Sequence, residues 1–395
     1  MTHRTQRLAT ALAAAGLIVA AAAAQAETGV TKDTIKIGMF GPLTGSSSMF
    51  GYPINNGAIA LYDEVNAKGG INGRKIEIIH EDGACDPAKT RAAVKKLIYS
   101  DQVFMVHGGN CSAAVVASRD EFIRGKVPFM VMAATLDRIV VPVNRYTYTT
   151  ALPSSGDGRI MFEFVKSIPN VKRVAIIKHA NEWADSRAEG IDKQITAAGL
   201  DFAGEVQLDP KASDATSQVV KLKEMKPDAV MMFLYPAESA VFLRDAHKYS
   251  LSTPMVGGTV IMDLQDLADR AGGAAAVENV YAAAFLRGPV DDPSVKQYAD
   301  IYRKRFPNDK LQTLSFYGMS GALTIINALE KAGPDLTREK FVDALEATKS
   351  GDAGPASCEV TFTKESHQGC SSGTMWALKG GKIVNVGPSY REITQ

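Results

Sequence analysis

Three kinds of residue in this sequence are of the types that do chemistry. Gly108-Gly-Asn-Cys-Ser-Ala113 sets Cys111 among small residues where a strand signal gives way to a helix signal, the setting of a nucleophile elbow whose thiol would attack a carbonyl. No His paired with Asp or Glu in a recognisable motif accompanies it. Gly41-Pro-Leu-Thr-Gly-Ser46 has the glycines of a phosphate loop but lacks its Gly-Lys-Ser/Thr ending. The four cysteines (Cys85, Cys111, Cys358, Cys370) and the six histidines (3, 80, 107, 179, 247, 367) include no Cys-x-x-Cys and never fall at metal-ligand spacing. The reading is of a chain with no catalytic residue, no metal and no cofactor, a thiol enzyme being the competing class.

The elements that would position these residues follow from size and patterning. The chain has 395 residues, 46% hydrophobic and 22% charged, with a formal charge of +1. That composition is globular, and its near-neutrality gives no pull toward nucleic acid or an anionic membrane. The length exceeds what one core usually supports and implies two or three domains. Residues 1–26 read as a secretory signal peptide: Arg4 and Arg7, an Ala-rich apolar run from Leu8 to Ala24, then the small-x-small site Ala24-Gln25-Ala26. The run is short for a membrane anchor, and no later stretch approaches the roughly 20 apolar residues of a span. An exported chain with four cysteines is expected to hold two disulfides, with three connectivities open. Cys358-Glu-Val-Thr-Phe-Thr and Cys370-Ser-Ser-Gly-Thr-Met-Trp-Ala-Leu flank the polar turn 364–369, and a hairpin there would set Cys358 opposite Cys370.

Strand and helix signals alternate from residue 34. Thr34 to Phe40 is a strand; Ile54, Ala58, Leu61, Tyr62 and Val65 recur on one helix face; Lys75 to His80 is a strand; Asp86-Pro87 caps a helix to Ser100. A strand at 103–107, a helix at 111–124 and a strand at 127–131 complete a first doubly wound set. After Pro153-Ser-Ser-Gly-Asp-Gly158 the rhythm restarts: strands at 171–177, 201–208, 228–233 and 254–256, with helices at 183–198, 213–225 and 238–249. From Asp292 the pattern is helical, to 306, then 313–331 and 337–347. Two α/β lobes of this kind hold a ligand in the cleft between the C-terminal ends of their sheets.

Ile37-Gly38, Gly41-Pro-Leu-Thr-Gly45, Gly69-Gly-Ile-Asn-Gly73, Glu81-Asp-Gly-Ala-Cys-Asp-Pro87, Asn110-Cys-Ser112, Ala133-Ala-Thr135 and Lys226-Pro-Asp-Ala229 together resemble, in consistent order from about 34 to 350, the periplasmic Leu/Ile/Val-binding proteins of ABC transporters. The resemblance implies a type I periplasmic binding protein fold, α/β, with two doubly wound Rossmann-like lobes joined by a three-strand hinge. The lobes would be 33–150 with 284–355 and 151–283 with 356–390. It also implies a Cys85–Cys111 disulfide, which would leave no thiolate for the elbow reading. The expected setting is the periplasm, with a small-molecule ligand, permease subunits as partners and the protein a monomer; a ligand-sensing module of a receptor system is an alternative of a different class.

Residue by residue, the resemblance puts Ser112 at a helix start where the family binds a ligand carboxylate, and a helix N-terminus suits an anion without a charged side chain. Ala133 and Thr135 match the next loop, which supplies a carbonyl, a hydroxyl and an amide. Phe50, Trp183 and Tyr235 fall at or near aromatic positions of the ligand cleft. The plainer readings are a helix cap for Ser112, a turn residue for Thr135 and packing for the aromatics. The sequence departs from the family at Thr259, where amino-acid-binding members carry an acid for the ligand's ammonium. A buried ammonium without a carboxylate is strongly penalised, so the expected ligand is an aromatic or hydrophobic carboxylic acid without an α-amine. A hydrophobic amino acid or amide is the alternative, with Glu238 as the candidate acid.

Overall fold

A computed structural model describes residues 27–45 and 47–391; the signal peptide expected at 1–26 lies outside them. The strands β1 (Thr34–Gly41), β2 (Lys75–Asp82), β3 (Met105–Gly108), β4 (Phe129–Val131) and β5 (Thr147–Thr149) form one parallel sheet in the order β2-β1-β3-β4-β5. Its first three connections are α1 (Ser48–Ala67), α2 (Pro87–Lys95) and α3 (Ser112–Gly125). Ile35, Ile37, Met39 and Phe40 of β1 are all buried, the near-continuous apolar run of a strand covered on both faces. Asp86 and Pro87 start α2 as expected: the Asp86 carboxylate accepts from Lys89 N at 2.8 Å.

The chain then builds a second sheet from β6 (Arg173–Lys178), β7 (Asp201–Gln207), β8 (Ala229–Phe233), β9 (Met255–Gly257) and β10 (Val280–Ala284). Their parallel order β7-β6-β8-β9-β10 repeats the winding of the first sheet. The accompanying helices are α4 (Ser154–Ser167), α5 (Glu182–Ala188), α6 (Ile191–Ala197), α7 (Thr216–Met225), α8 (Pro236–Lys248) and α9 (Leu264–Arg270). Three further helices, α10 (Lys296–Arg305), α11 (Ser315–Ala332) and α12 (Arg338–Glu346), return to the first lobe. There α11 crosses α1 so closely that a Cβ on Gly57 would lie 1.9 Å from Ser315 O, and one on Gly318 2.0 Å from Ile54 O. Finally β11 (Ser372–Lys379) and β12 (Lys382–Asn385) extend the second sheet antiparallel, with β13 (Tyr390–Arg391) paired to β11. No helix among the described residues is long and apolar enough to cross a membrane.

The chain passes between the lobes three times, after β5, after β10 and after α12, and these passages are bonded to one another. Arg287 N donates to Pro355 O at 2.9 Å, Ser357 N to Phe285 O at 2.7 Å and Gly369 N to Thr149 O at 2.8 Å. His367 and Gln368 therefore lie along β5, the last strand of the first sheet.

Three local expectations are corrected. The second set starts before residue 158, not after it: Pro153 is the N-cap of α4, whose first turn is Ser154 to Asp157. Small polar residues weaken a helix interior but suit its first turn, where Asp157 also meets the positive end of the helix dipole. The helix expected over 183–198 breaks at Glu189-Gly190, with Gly190 at φ 71°. The stretch 358–370 is no regular hairpin: it folds back through Thr361 N to Gly369 O (3.2 Å), and the regular hairpin is β11–β12. Both expected cysteine pairs are joined, Cys85 to Cys111 and Cys358 to Cys370.

Candidate ligand-binding site

Each sheet reverses its winding direction between two neighbouring strands, β1 and β3 in one lobe and β6 and β8 in the other. Open α/β sheets bind ligands outside the strand C-termini at such a reversal. The loop after β3 leads into Ser112, the loop after β4 into Thr135, the loop after β6 into Trp183, the loop after β8 into Tyr235 and the loop after β9 into Thr259.

Ser112 is the first residue of α3 and is buried. Its Oγ accepts from Thr135 N at 3.1 Å and Leu136 N at 3.4 Å, which uses both lone pairs and leaves its O–H as a donor. The first helical bond of α3 is Val115 N to Cys111 O, so the N–H groups before Val115 have no partner within the helix. The Cys85–Cys111 disulfide ties this N-terminus to the loop after β2. Ala133 is buried beside it, its N–H donating to Gly109 O at 3.1 Å.

Across from Ser112 lies a buried ion pair that the sequence reading missed. Arg187 and Asp157 are 1% and 0% exposed. The Arg187 Nε donates to Asp157 at 3.1 Å, Nη1 to Ser154 Oγ at 2.7 Å and to Trp183 O at 3.3 Å, and Nη2 to Thr135 Oγ1 at 2.9 Å. These bonds use four of the five N–H groups a guanidinium has. The Asp157 carboxylate also accepts from Thr259 N at 3.2 Å and Thr259 Oγ1 at 3.4 Å, and the Tyr317 hydroxyl lies close to the Thr259 side chain. Burial raises the Tyr317 hydroxyl above the usual phenol range, as it does that of Tyr235, so both stay neutral.

Thr259 is therefore not a position without an acid nearby; the acid arrives from α4. Arg187 sits four residues after Trp183, on the same face of α5, and its guanidinium lies 3.9 Å from the centre of the Trp183 ring. Tyr235 stacks on the same indole at 4.6 Å. One face of the Trp183 indole is thus taken by a guanidinium, which is drawn to an aromatic face. Phe50, in the first turn of α1, is half-buried and packs with the hydrophobic core. Glu238 stands outside the cluster: its Oε1 accepts from Lys211 N at 2.7 Å. An open groove of about 570 Å³ runs beside the cluster, between Leu136–Arg138 and α5. Three of its carboxylates are paired, Glu182 with Arg138 and both Asp185 and Glu205 with Lys178. No group of three or more His, Cys, Asp or Glu among the described residues is placed to hold a metal.

The sequence profile described as periplasmic binding protein matches residues 34–382. The chain belongs to the periplasmic binding protein family. Its curated relatives include the leucine-, isoleucine-, valine-, threonine- and alanine-binding protein of Pseudomonas aeruginosa, 26% identical over 357 residues covering 89% of this chain and 92% of that one. The fold is that of a branched-chain amino acid transporter substrate-binding protein from Streptococcus pneumoniae in complex with isoleucine (TM-score 0.79, 23% identity, 90% and 100% of the two chains). It is equally that of a Rhodopseudomonas palustris solute-binding protein of an ABC transporter in complex with 3,4-dihydroxybenzoic acid (TM-score 0.78, 23% identity, 92% and 99%). This periplasmic binding protein is thus a Leu/Ile/Val-type, type I member, a solute-binding protein of the ABC-transporter class. Sequence alone singled out Ser112, Ala133, Thr135, Trp183, Tyr235 and Thr259; Arg187, Asp157, Ser154 and Tyr317 entered only with the structure.

Proposed function

We propose that this binding protein captures a small carboxylic acid, aromatic or hydrophobic and without an α-amine, by closure of its two lobes in the periplasm, and delivers it to a membrane permease. The observation that carries this reading is the convergence of Arg187, Thr135 and the N-terminus of α3 carrying Ser112 on one buried spot. A guanidinium, a helix N-terminus and hydroxyl donors together favour an anion, and a carboxylate matches the fork of an arginine. The Arg187–Asp157 pair is neutral overall, so an entering carboxylate takes a share of the guanidinium from Asp157. Trp183, Tyr235 and Phe50 suit an apolar ligand body. The lobes accompanying the reading are 33–150 with 284–355 and 151–283 with 356–390, the contacts of His367 with Thr147 and of Gln368 with Thr149 drawing the stretch before β11 toward the first lobe.

One observation favours a second reading. Asp157, with Thr259 and Tyr317 behind it, is a buried acid on the side where an ammonium would lie, so a zwitterionic amino acid inserted between Arg187 and Asp157 would replace one ion pair by two. Calorimetry with benzoate, p-coumarate, isovalerate and leucine separates the two. The acids are expected to bind and leucine to bind weakly or not at all; tight leucine binding overturns the amine-free reading. Ligand binding should also reduce the radius of gyration in solution scattering; an unchanged profile at saturation counts against closure.

A further inference from the structure

Next to Ser112, at the C-terminal edge of the first sheet, two side-chain amides meet over one glycine. Asn110, in the loop between β3 and α3, is 5% exposed, and Asn55, on α1, is 1% exposed. A Cβ on Gly41, the last residue of β1, would lie 2.4 Å from Asn110 Oδ1 and 2.7 Å from Asn55 Nδ2. Only a glycine leaves room for both amides there. Asn55 is oriented from behind by His80 on β2, its Nδ2 standing 3.2 Å from His80 Nε2. Burial lowers the His80 pKa to about 4, so near neutral pH the imidazole is uncharged and Nε2 accepts the Asn55 amide proton. That fixes Asn55 Oδ1 on the other side. Among the described residues, Asn55 Oδ1, Asn110 Oδ1 and Asn110 Nδ2 all lack a hydrogen-bond partner.

Buried amides are costly to leave unpaired, and these two flank the switch point at which the ligand is proposed to bind. What they ask for is specific. Asn110 presents one donor and one acceptor and Asn55 a second acceptor. A carboxylate only accepts, an ammonium only donates, and a methyl or bare ring edge does neither. A hydroxyl does both: its oxygen accepts from Asn110 Nδ2 while its proton goes to Asn55 Oδ1 or Asn110 Oδ1. We propose that Asn55 and Asn110, meeting over Gly41, form a hydroxyl-recognising subsite, and that the preferred ligand is a hydroxylated carboxylic acid rather than its unsubstituted counterpart. This rests on the carboxylate reading above and narrows its substrate class.

The experiment is calorimetry on the mature protein with matched pairs: benzoate against its 3- and 4-hydroxy derivatives, cinnamate against p-coumarate, and isovalerate against its 2- and 3-hydroxy derivatives. At least one hydroxylated member should bind about tenfold or more tightly than its partner. Asn110→Leu should level that pair, weakening the hydroxylated acid and strengthening the plain one. Asn110→Asp, of nearly the same shape but without the donor, should weaken the hydroxylated acid as well and guards against a Leu variant that fails to fold. Pairs that bind equally in the wild type, or a preference that survives both substitutions, overturn the subsite and leave the carboxylate reading standing. If no acid of either kind binds, the carboxylate reading itself falls, and the subsite with it.

Discussion

The Arg187 guanidinium, carried by the second lobe, donates to the Thr135 hydroxyl of the first across 2.9 Å. One bond thus joins the two halves of the molecule at the place proposed for the ligand carboxylate, and the same guanidinium holds Asp157. A group that ties the lobes together and the group proposed to select the ligand's charge are one.

Asp157→Asn gives opposite signs for the two ligand classes. It removes the anion that shares Arg187, so an amine-free acid is expected to bind more tightly, by about tenfold or more, whereas an amino acid would lose its ammonium partner and bind more weakly. Calorimetry of the variant with p-coumarate and leucine reads both; weaker binding of the acid would refute the assigned competition. The same change leaves Arg187 buried without its counter-ion and should destabilise the ligand-free protein by about 3 kcal/mol, visible as a lower Tm.

Ser112→Ala and Thr135→Ala each delete a hydroxyl of the proposed anion site. Each is expected to weaken carboxylate binding about ten- to a hundredfold, the loss of one hydrogen bond to a charged group. Trp183→Ala should cost aromatic acids more than short aliphatic ones, and it also uncovers the guanidinium of Arg187. Affinities that stay within twofold of wild type for both hydroxyl variants would remove these residues from the site.

Acid should destabilise the protein well before its carboxylates titrate. Burial lowers the pKa of His80 to about 4 and of His107 to about 3, and lowers those of His179 and His367. The unfolded chain takes up these protons as pH falls below about 6.5 while the folded chain resists, so stability falls from there until each folded pKa is passed. His80 alone accounts for about 3 kcal/mol across that window, its loss moderated by the nearby Glu81 and Asp82. Tm should drop between pH 7 and pH 5, and His80→Gln, which keeps a partner for Asn55, should flatten the slope. A Tm independent of pH over that range contradicts the assignment.

Non-reducing peptide mapping of mature protein should recover Cys85 joined to Cys111 and Cys358 to Cys370. A rapidly alkylated Cys111 in native protein would instead revive the thiol-nucleophile reading of Gly108 to Ala113.

How much of this was legible in the sequence varied with how local the signal was. Most parallel strands stood out because buried parallel strands are continuous apolar runs, as in Ala229 to Phe233, whereas the short β5 and the Ala-rich β10 did not. Ser112 and Thr135 were legible through a family pattern around short loops. Asp157 was hidden because Pro153 to Gly158 reads as the break between the two sets, although those small residues begin a buried helix. Arg187 was hidden for a different reason: an arginine four residues after a tryptophan looks like surface, and only the approach of α4 from 30 residues earlier buries it. Asn110 was legible as part of a motif, but its unpaired amide was not, since pairing is a property of the fold.

The ion pair is bracketed by the passages between the lobes. Ser154 N donates to Thr135 O at 2.7 Å one residue after the passage at 151–153, and Tyr317 packs edge-on, at 4.3 Å, against Phe285 in the passage after β10. In a rotation, displacement grows with distance from the axis. An opening about these passages would therefore part the rim, where Arg138 meets Glu182 and Thr313 N meets Asp263, far more than it parts Thr135, Ser154 and Arg187. The proposed anion socket is in that sense assembled before a ligand arrives, near the pivot, and the rim is left to shut behind it.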